Sequence, residues 1–370
     1  MKPVTVALCM IVKNEEDILP KTFPQFNKLF DEIIVVDTGS SDNTKNIIKS
    51  YGVVPVEFEW VNDFAKARNE SIKNAKSDWI VWLDADEYIN DEDFIKLKDI
   101  LSRADSDCYS IKVLEAKEGG FQAFGYLWRD KVFKNHCGLH FEREINEGIF
   151  DSNSNSALSL KINVEIYHLG GAIALSQNLK RKAKKEERNI KLYNNLLKKN
   201  PKDFRANMLL GKSYLIAQKL NEAYECFKKA SEYAMDTEGR ESNLVDASFC
   251  SVHLGKYSEA KDLLLQALKL NKKNAGAACN LGLVFIKENN PAETIKLLEA
   301  IIDDPYPKDK TYSVNMNYYT YQRYVYLAQA YLILGNVQKA LEILEKGYNE
   351  YGDENLRNLL ELYKKKTGEK

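Results

Sequence analysis

The sequence has no run of about 18 consecutive apolar residues, the length a membrane-spanning helix requires. Cysteine is sparse. Cys9, Cys108, Cys137, Cys226, Cys250 and Cys279 lie far apart, and no two form a Cys-x-x-Cys pair. That argues against a zinc site and against a disulfide framework, and fits a reducing cytoplasm. Neither sign of charge is in excess: 53 basic side chains face 54 acidic ones, for a net charge of -1. Proteins that grip nucleic acid through its phosphates carry a basic surplus, so no nucleic-acid partner is expected. The opening segment, Met1 to Val12, has one lysine and a short apolar run, then meets Lys13-Asn14-Glu15-Glu16 without a small-residue cleavage site. It reads as a buried strand and not as a leader peptide.

What is present points to two domains. At 370 residues, 44% of them hydrophobic, the chain is too long for one ordinary core. The first half alternates strand and helix. Val4 to Val12 is a nearly continuous apolar run, as a strand buried on both faces requires. Glu32 to Asp37, Val53 to Phe58 and Trp79 to Leu83 are the next strands. Helical patterns at Ile18 to Phe30, Asn43 to Tyr51 and Phe64 to Ala75 separate them, and Pro24 should kink or shorten the first. This alternation predicts an α/β domain, a mostly parallel Rossmann-like sheet with helices on both faces. From Leu83 to about Leu169 the pattern is irregular.

The second half has no strand signal, but it repeats. Gly211, Tyr214, Ala223, Phe227 and Ala230 set a frame that returns with Ala260, Leu264 and Ala267. It returns again with Gly282, Phe285 and Leu298, then with Ala328, Tyr331, Ala340 and Leu344. The spacing resembles that of tetratricopeptide repeats, helix pairs of about 34 residues. Small residues let the two helices of a pair approach, and larger ones fill the groove between pairs. Units are expected to start near Phe204, Glu241, Ala275 and Tyr321, with an insertion around Asp303 to Pro307 and a capping helix from Leu356 to Lys366. The expected division is residues 1–175 for the α/β domain, 176–200 for a helical linker and 201–370 for an all-α repeat superhelix. The basic run Lys180 to Lys185 reads as the solvated start of that linker, with attraction to an anionic surface as the weaker reading.

In an open parallel sheet, ligands sit at the carboxyl ends of the strands. After the first strand comes Lys13-Asn14-Glu15-Glu16, after the second Asp37-Thr38-Gly39-Ser40-Ser41-Asp42, and after the fourth Asp84-Ala85-Asp86-Glu87. All three place carboxylates on one rim. Carboxylates there can hold Mn²⁺ or Mg²⁺ against a diphosphate, whose leaving charge the cation stabilises. Asp37 can accept a hydrogen bond from a nucleobase or ribose. Ser41 or Asp42 can instead serve as a helix cap.

Val12 to Glu15, Ile34 to Thr44, Phe64 to Asn69 and Trp82 to Glu87, in that order, resemble the motifs of family 2 glycosyltransferases, which have the GT-A fold and mostly invert the anomeric centre. The resemblance is good over residues 4 to 100 and weaker to 170. Its pairing with tetratricopeptide repeats resembles a bacterial subgroup, some of whose members glycosylate proteins or peptides. The resemblance implies a nucleotide-sugar donor, a UDP-sugar, and a divalent metal. It implies that Asp37 contacts the base and that Arg68 faces the base or diphosphate. Asp84 would bind ribose, or metal through water, and Asp86 would bind the metal directly, with Asn14 and Glu15 also on the donor side. It further implies a metal-binding imidazole from His168, at the end of Val164 to Tyr167, and a catalytic base in Glu147. Glu144, Glu142 and Glu87 compete for the base role, because Asn146 stands where the subgroup leads one to expect histidine. A base is needed because an acceptor hydroxyl must lose its proton as it attacks. His136 and His140 have no recognised partner and read as structural.

Phe121, Phe124, Tyr126, Trp128 and Arg129 are either a sugar-stacking surface or strand core. Tyr306, Tyr312, Tyr318, Tyr319, Tyr321 and Tyr324 either form an interface, for an acceptor or for a second copy of the chain, or fill the space of the insertion. The leading expectation is a transferase acting on a protein or peptide. Two alternatives stand beside it: a transferase for cell-surface glycan or lipid-linked sugar, and a repeat scaffold with a degenerate catalytic domain. A nucleotidyltransferase would need a glycine-rich basic loop after the first strand, and Lys13-Asn14-Glu15-Glu16 is not one.

Overall fold

The computed structural model describes residues 3–117, 120–169, 179–305, 307 and 315–367. Two compact units emerge, Met1–Lys182 and Ala183–Lys370.

In the first unit, strands β1 (Val6–Val12), β2 (Glu32–Asp37), β3 (Val56–Glu57) and β4 (Trp79–Trp82) alternate with helices α1 (Leu19–Leu29), α2 (Thr44–Ser50) and α3 (Phe64–Asn74). Then come β5 (Glu87–Tyr88), α4 (Asp91–Ser102), β6 (Cys108–Lys117), β7 (Gly120–Lys134), β8 (His140–Glu142), β9 (Gly148–Phe150) and β10 (Leu160–His168). The main sheet has the order β3-β2-β1-β4-β7-β6-β10-β5, and β8 and β9 form a separate pair. Strands β3, β2, β1 and β4 run parallel, so their carboxyl ends share one rim. The irregular stretch after Leu83 adds the antiparallel pairings β4 with β7 and β6 with β7.

Strand β1 shows why its sequence is apolar throughout. Val6, Leu8, Met10 and Val12 point into one core with Phe23, Phe26, Phe94 and Leu97, while Ala7 and Cys9 point into a second with Ala65, Phe133 and Phe141. The period of two sends alternate residues to opposite faces, and both faces are covered. Pro24 does not end its helix, and the third strand is shorter than expected. Helix α1 runs through Pro24, which sits in its second turn; the missing N–H removes one hydrogen bond, while buried Phe23 and Phe26 anchor the helix on either side. The third strand is only two residues long. Pro55 cannot donate to a ladder, Val54 is 80% exposed, and β3 is the sheet edge.

The second unit is helical throughout its described residues. Helix α5 (Leu179–Lys199) precedes the pairs α6 (Phe204–Ile216) with α7 (Leu220–Tyr233), α8 (Thr237–His253) with α9 (Tyr257–Leu270), and α10 (Ala275–Lys287) with α11 (Pro291–Glu299). A π-turn at Tyr318–Gln322 leads into α12 (Arg323–Ile333), α13 (Val337–Tyr351) and the terminal α14 (Glu354–Thr367). The small residues of the repeat frame sit at close crossings: a Cβ on Gly211 would lie 2.8 Å from the Phe227 ring, and one on Gly282 would lie 3.1 Å from Thr294.

Of the crowded tyrosines, Tyr306 and Tyr312 lie outside the described residues, while Tyr318, Tyr319 and Tyr324 are buried in the core. The described part of the cluster therefore fills the interior where the repeat frame breaks. Arg323 completes it. This fully buried guanidinium donates from Nη1 to the carbonyls of Ile301 and Asp304, at 3.0 and 2.7 Å, and from Nη2 to the Tyr351 hydroxyl at 3.0 Å. It ties down the chain after α11, where the Ile301 carbonyl also accepts from Asp304 N at 3.1 Å. Gly347 packs against the same cluster, where an added Cβ would lie 2.6 Å from Tyr324 and 2.9 Å from Leu356. Gly347→Ala is expected to destabilise the protein by about 1–3 kcal/mol through overpacking. An unchanged denaturation midpoint would show that the ring moves aside freely.

Candidate active site

The loops after β1 and β2 are tied together. Asn14 adopts a left-handed backbone (φ 58°), its N–H donates to the Ser40 hydroxyl at 2.9 Å, and its side-chain oxygen accepts from Ser41 N at 2.8 Å. Glu15 N donates to the Thr44 hydroxyl at 2.7 Å. Asp37, at the end of β2, is fully buried, and its Oδ1 accepts from Gly39 N and Ser40 N at 2.9 and 2.8 Å. Gly39 takes φ 97°, which a side chain would resist. The second oxygen, Oδ2 of Asp37, is buried and has no hydrogen-bond partner among the described residues. Lys45 Nζ stands 3.8 Å from Oδ1 and pairs with Glu57 at 2.8 Å.

Arg68 is the hub of the rim. Asn69 docks α3 on β8 by a reciprocal pair of 2.8 Å hydrogen bonds with the Phe141 backbone, which aims the preceding Arg68 inward. Its guanidinium lies 4.2 Å from the Trp82 ring centre and 5.8 Å from that of Phe141. Nε donates to Glu147 at 2.5 Å and Nη2 to Asp84 at 2.7 Å. Three side chains distant in sequence thus meet. Desolvation by the surrounding protein would raise the Asp84 pKa, but the Arg68 guanidinium, and after it Lys131, hold this carboxyl, whose side chain is 45% exposed, well below its usual range.

The Asp84 to Glu87 turn closes on itself. Glu87 N donates to Asp84 O at 3.0 Å, and Asp84 N donates to Glu87 Oε2 at 2.8 Å. Glu87 is 4% exposed, and burial pushes its pKa up despite the Lys131 ammonium at 2.6 Å. Strand β5 pairs antiparallel with β10, placing His168 opposite Glu87, and Leu169 N donates to Asp86 O at 2.7 Å. This register brings His168 Nε2 to 3.2 Å from Asp86 Oδ2.

The site residues named from the sequence therefore fall into three groups: Asn14, Glu15 and Asp37; Arg68, Asp84 and Glu147; Asp86 and His168. Among the competing carboxylates, Glu87 is buried and engaged by Lys131, and Glu142 binds His140 at 3.0 Å and Ser154 at 2.7 Å. Asn146, where the subgroup resemblance led us to expect histidine, has φ 54° in the tight β8–β9 loop, a backbone that asparagine tolerates well. Of the aromatic run, the side chains of Phe121, Phe124 and Tyr126 lie outside the described residues. Lys131 and Trp82 were missed. Alternation along β7 gives no sign that Lys131 turns inward, and its burial against Glu87 and Trp82 shows it.

No three His, Cys, Asp or Glu side chains among the described residues gather into a metal cage. The Asp86 carboxylate is nonetheless a hard oxygen donor of the kind Mn²⁺ and Mg²⁺ take, with the His168 imidazole nitrogen 3.2 Å from it. Such ions commonly take one or two protein ligands and complete their shell with substrate phosphate and water.

Residues 7–157 match the Glycosyl transferase family 2 profile. The chain carries a family 2 glycosyltransferase domain. Residues 252–310 match a tetratricopeptide repeat profile, so the glycosyltransferase domain is followed by a repeat region. A TPR repeat-containing protein of Synechococcus elongatus is 34% identical over 147 residues, 40% of this chain and 36% of that protein. The SPbeta prophage-derived glycosyltransferase SunS of Bacillus subtilis is 29% identical over 233 residues, 61% of this chain and 53% of SunS. An uncharacterized glycosyltransferase of Rickettsia typhi is 28% identical over 152 residues, 40% of this chain and 52% of that protein. The chain thus spans between about a third and about half the length of these relatives.

Proposed function

We propose that this chain is a metal-dependent inverting glycosyltransferase that moves a sugar from a UDP-sugar to a protein or peptide acceptor. The observation that carries this reading is the Arg68 hub, which fastens Asp84 and Glu147 on the rim that also holds Asp37 and the Asp86–His168 pair. The orphan Oδ2 of Asp37 is an acceptor for a nucleobase N–H. Asn14 and Glu15 shape the loop beside it. Asp86 and His168 are the residues that would hold the divalent cation, with Asp84 oriented toward ribose or a metal-bound water. When bound, the cation would neutralise the departing diphosphate. Arg68 occupies Oε1 of Glu147 and fixes that carboxylate's orientation; Oε2 is the atom assigned to take the acceptor hydroxyl's proton.

The subgroup resemblance supports a protein or peptide acceptor, and the repeat region supplies helical surface to bind it or to form a homodimer. No helix among the described residues is long and apolar enough to cross a membrane. All six cysteines are free thiols, which supports a reducing, cytoplasmic setting.

Purified protein incubated with a panel of nucleotide sugars and Mn²⁺ should slowly hydrolyse one UDP-sugar, and EDTA should stop it. A donor turned over equally well in EDTA would remove the metal from the reaction. Hydrolysis of none, together with no nucleotide binding, would favour the scaffold reading.

A further inference from the structure

Outside the rim side chains already given roles, one buried ion pair is unexplained. Lys131 lies on β7 with its side chain 2% exposed, and its Nζ sits 2.6 Å from Glu87 Oε2 and 3.5 Å from the centre of the Trp82 ring. Burying an ammonium and a carboxylate is costly, and an apolar pair of similar volume would often serve stability as well. A pair kept here calls for another reason.

The contacts supply one. The Glu87 oxygen that meets Lys131 is the same Oε2 that accepts Asp84 N. Lys131 thereby fixes the acceptor that closes the Asp84 to Glu87 turn. From that turn hang Asp84 and Asp86. Glu87 is also the β5 residue paired with His168. Arg68 also approaches the Trp82 ring, and it grips the Asp84 carboxylate. Trp82 is itself anchored by its indole N–H, which donates to Asp130 O at 2.7 Å, one residue from Lys131.

We infer that Lys131 and Glu87 are positioning residues that hold Asp84, Asp86 and His168 in the arrangement a divalent cation and diphosphate need. This rests on the donor-site reading above. Both side chains are buried, 2% and 5% exposed, and paired with each other. Each acts through the turn, as outer groups around metal ligands do.

The test is calorimetric titration of Mn²⁺ into the full chain in the presence of UDP, with UDP alone as the second titration. Lys131→Met is expected to weaken Mn²⁺ affinity by about 10–100-fold, the range for outer-shell partners. It should change metal-free UDP affinity less, because Asp37 is held by Gly39 N and Ser40 N and only the Asp84 share of nucleotide binding passes through the turn. Lys131→Arg should restore part of the loss. Since Lys131→Met leaves Glu87 buried and unpaired, it risks unfolding. The double variant Lys131→Met with Glu87→Leu avoids this by removing both charges, and it loses the acceptor for Asp84 N outright. It should fold and still bind Mn²⁺ weakly. A purely structural role would lower the melting temperature and leave the Mn²⁺ titration of the folded protein unchanged; that result overturns the inference. If UDP binds the wild type no more tightly with Mn²⁺ than without, the donor-site reading fails first and takes the inference with it.

Discussion

Asp86→Ala is expected to abolish Mn²⁺-dependent UDP binding and to lower turnover by a factor on the order of 10²–10³, the cost of losing one group that stabilises developing charge. The fold should survive. Asp86 is 31% exposed at its side chain and its contact is with His168, itself 31% exposed, so its removal opens no cavity. Stability should stay within about 0.5 kcal/mol, as for surface substitutions. Calorimetry with UDP and Mn²⁺ on the wild type and the variant decides the matter. Equal metal-dependent affinity in both would take Asp86 out of the site.

Arg68→Met should cost both stability and function. The guanidinium is 5% exposed and bridges two carboxylates, so its loss leaves Glu147 buried and uncompensated. Removing one partner of a buried pair costs about 3–5 kcal/mol. Arg68→Lys should not rescue, because a point ammonium cannot serve two carboxylates from one planar fork. The loss also has a pH signature. Arg68 depresses the Asp84 pKa, against the burial that raises it, so this interaction contributes fully above the unfolded carboxylate pKa of about 4. It fades as pH falls through the lower, folded value. The stability gap between wild type and Arg68→Met should therefore be constant near neutrality and narrow in acid. Thermal unfolding across pH reads this directly. A gap that widens in acid would show that Asp84 is not ionised through Arg68.

The rest of the site was legible in the sequence to different degrees. Asp37, Asp84 and Asp86 could be placed because each directly follows an apolar strand, and parallel strands end on a common rim. Arg68 could be named from the Phe64 to Asn69 motif, but its double pairing could not, since Glu147 comes from a loop 79 positions away. The partner of Asn69 was equally hidden, because a backbone carbonyl leaves no mark in sequence. His168 was suspected at a strand end, yet its distance from Asp86 depends on the β5–β10 register, which a two-residue strand such as Glu87–Tyr88 does not announce.

By itself the sequence determined the two-part organisation, the buried parallel strands and the frame of the helical repeats. These follow from local periodicity, a period of two or of 3.6, and from small residues at helix crossings. Tertiary structure alone decided that the sheet continues into antiparallel strands after Leu83, that Lys131 turns inward to Glu87, and that Arg323 and its tyrosines fill the gap where the repeat breaks. Each of these depends on which distant segments become neighbours. That choice is set by the packing of whole faces, and no local pattern encodes it.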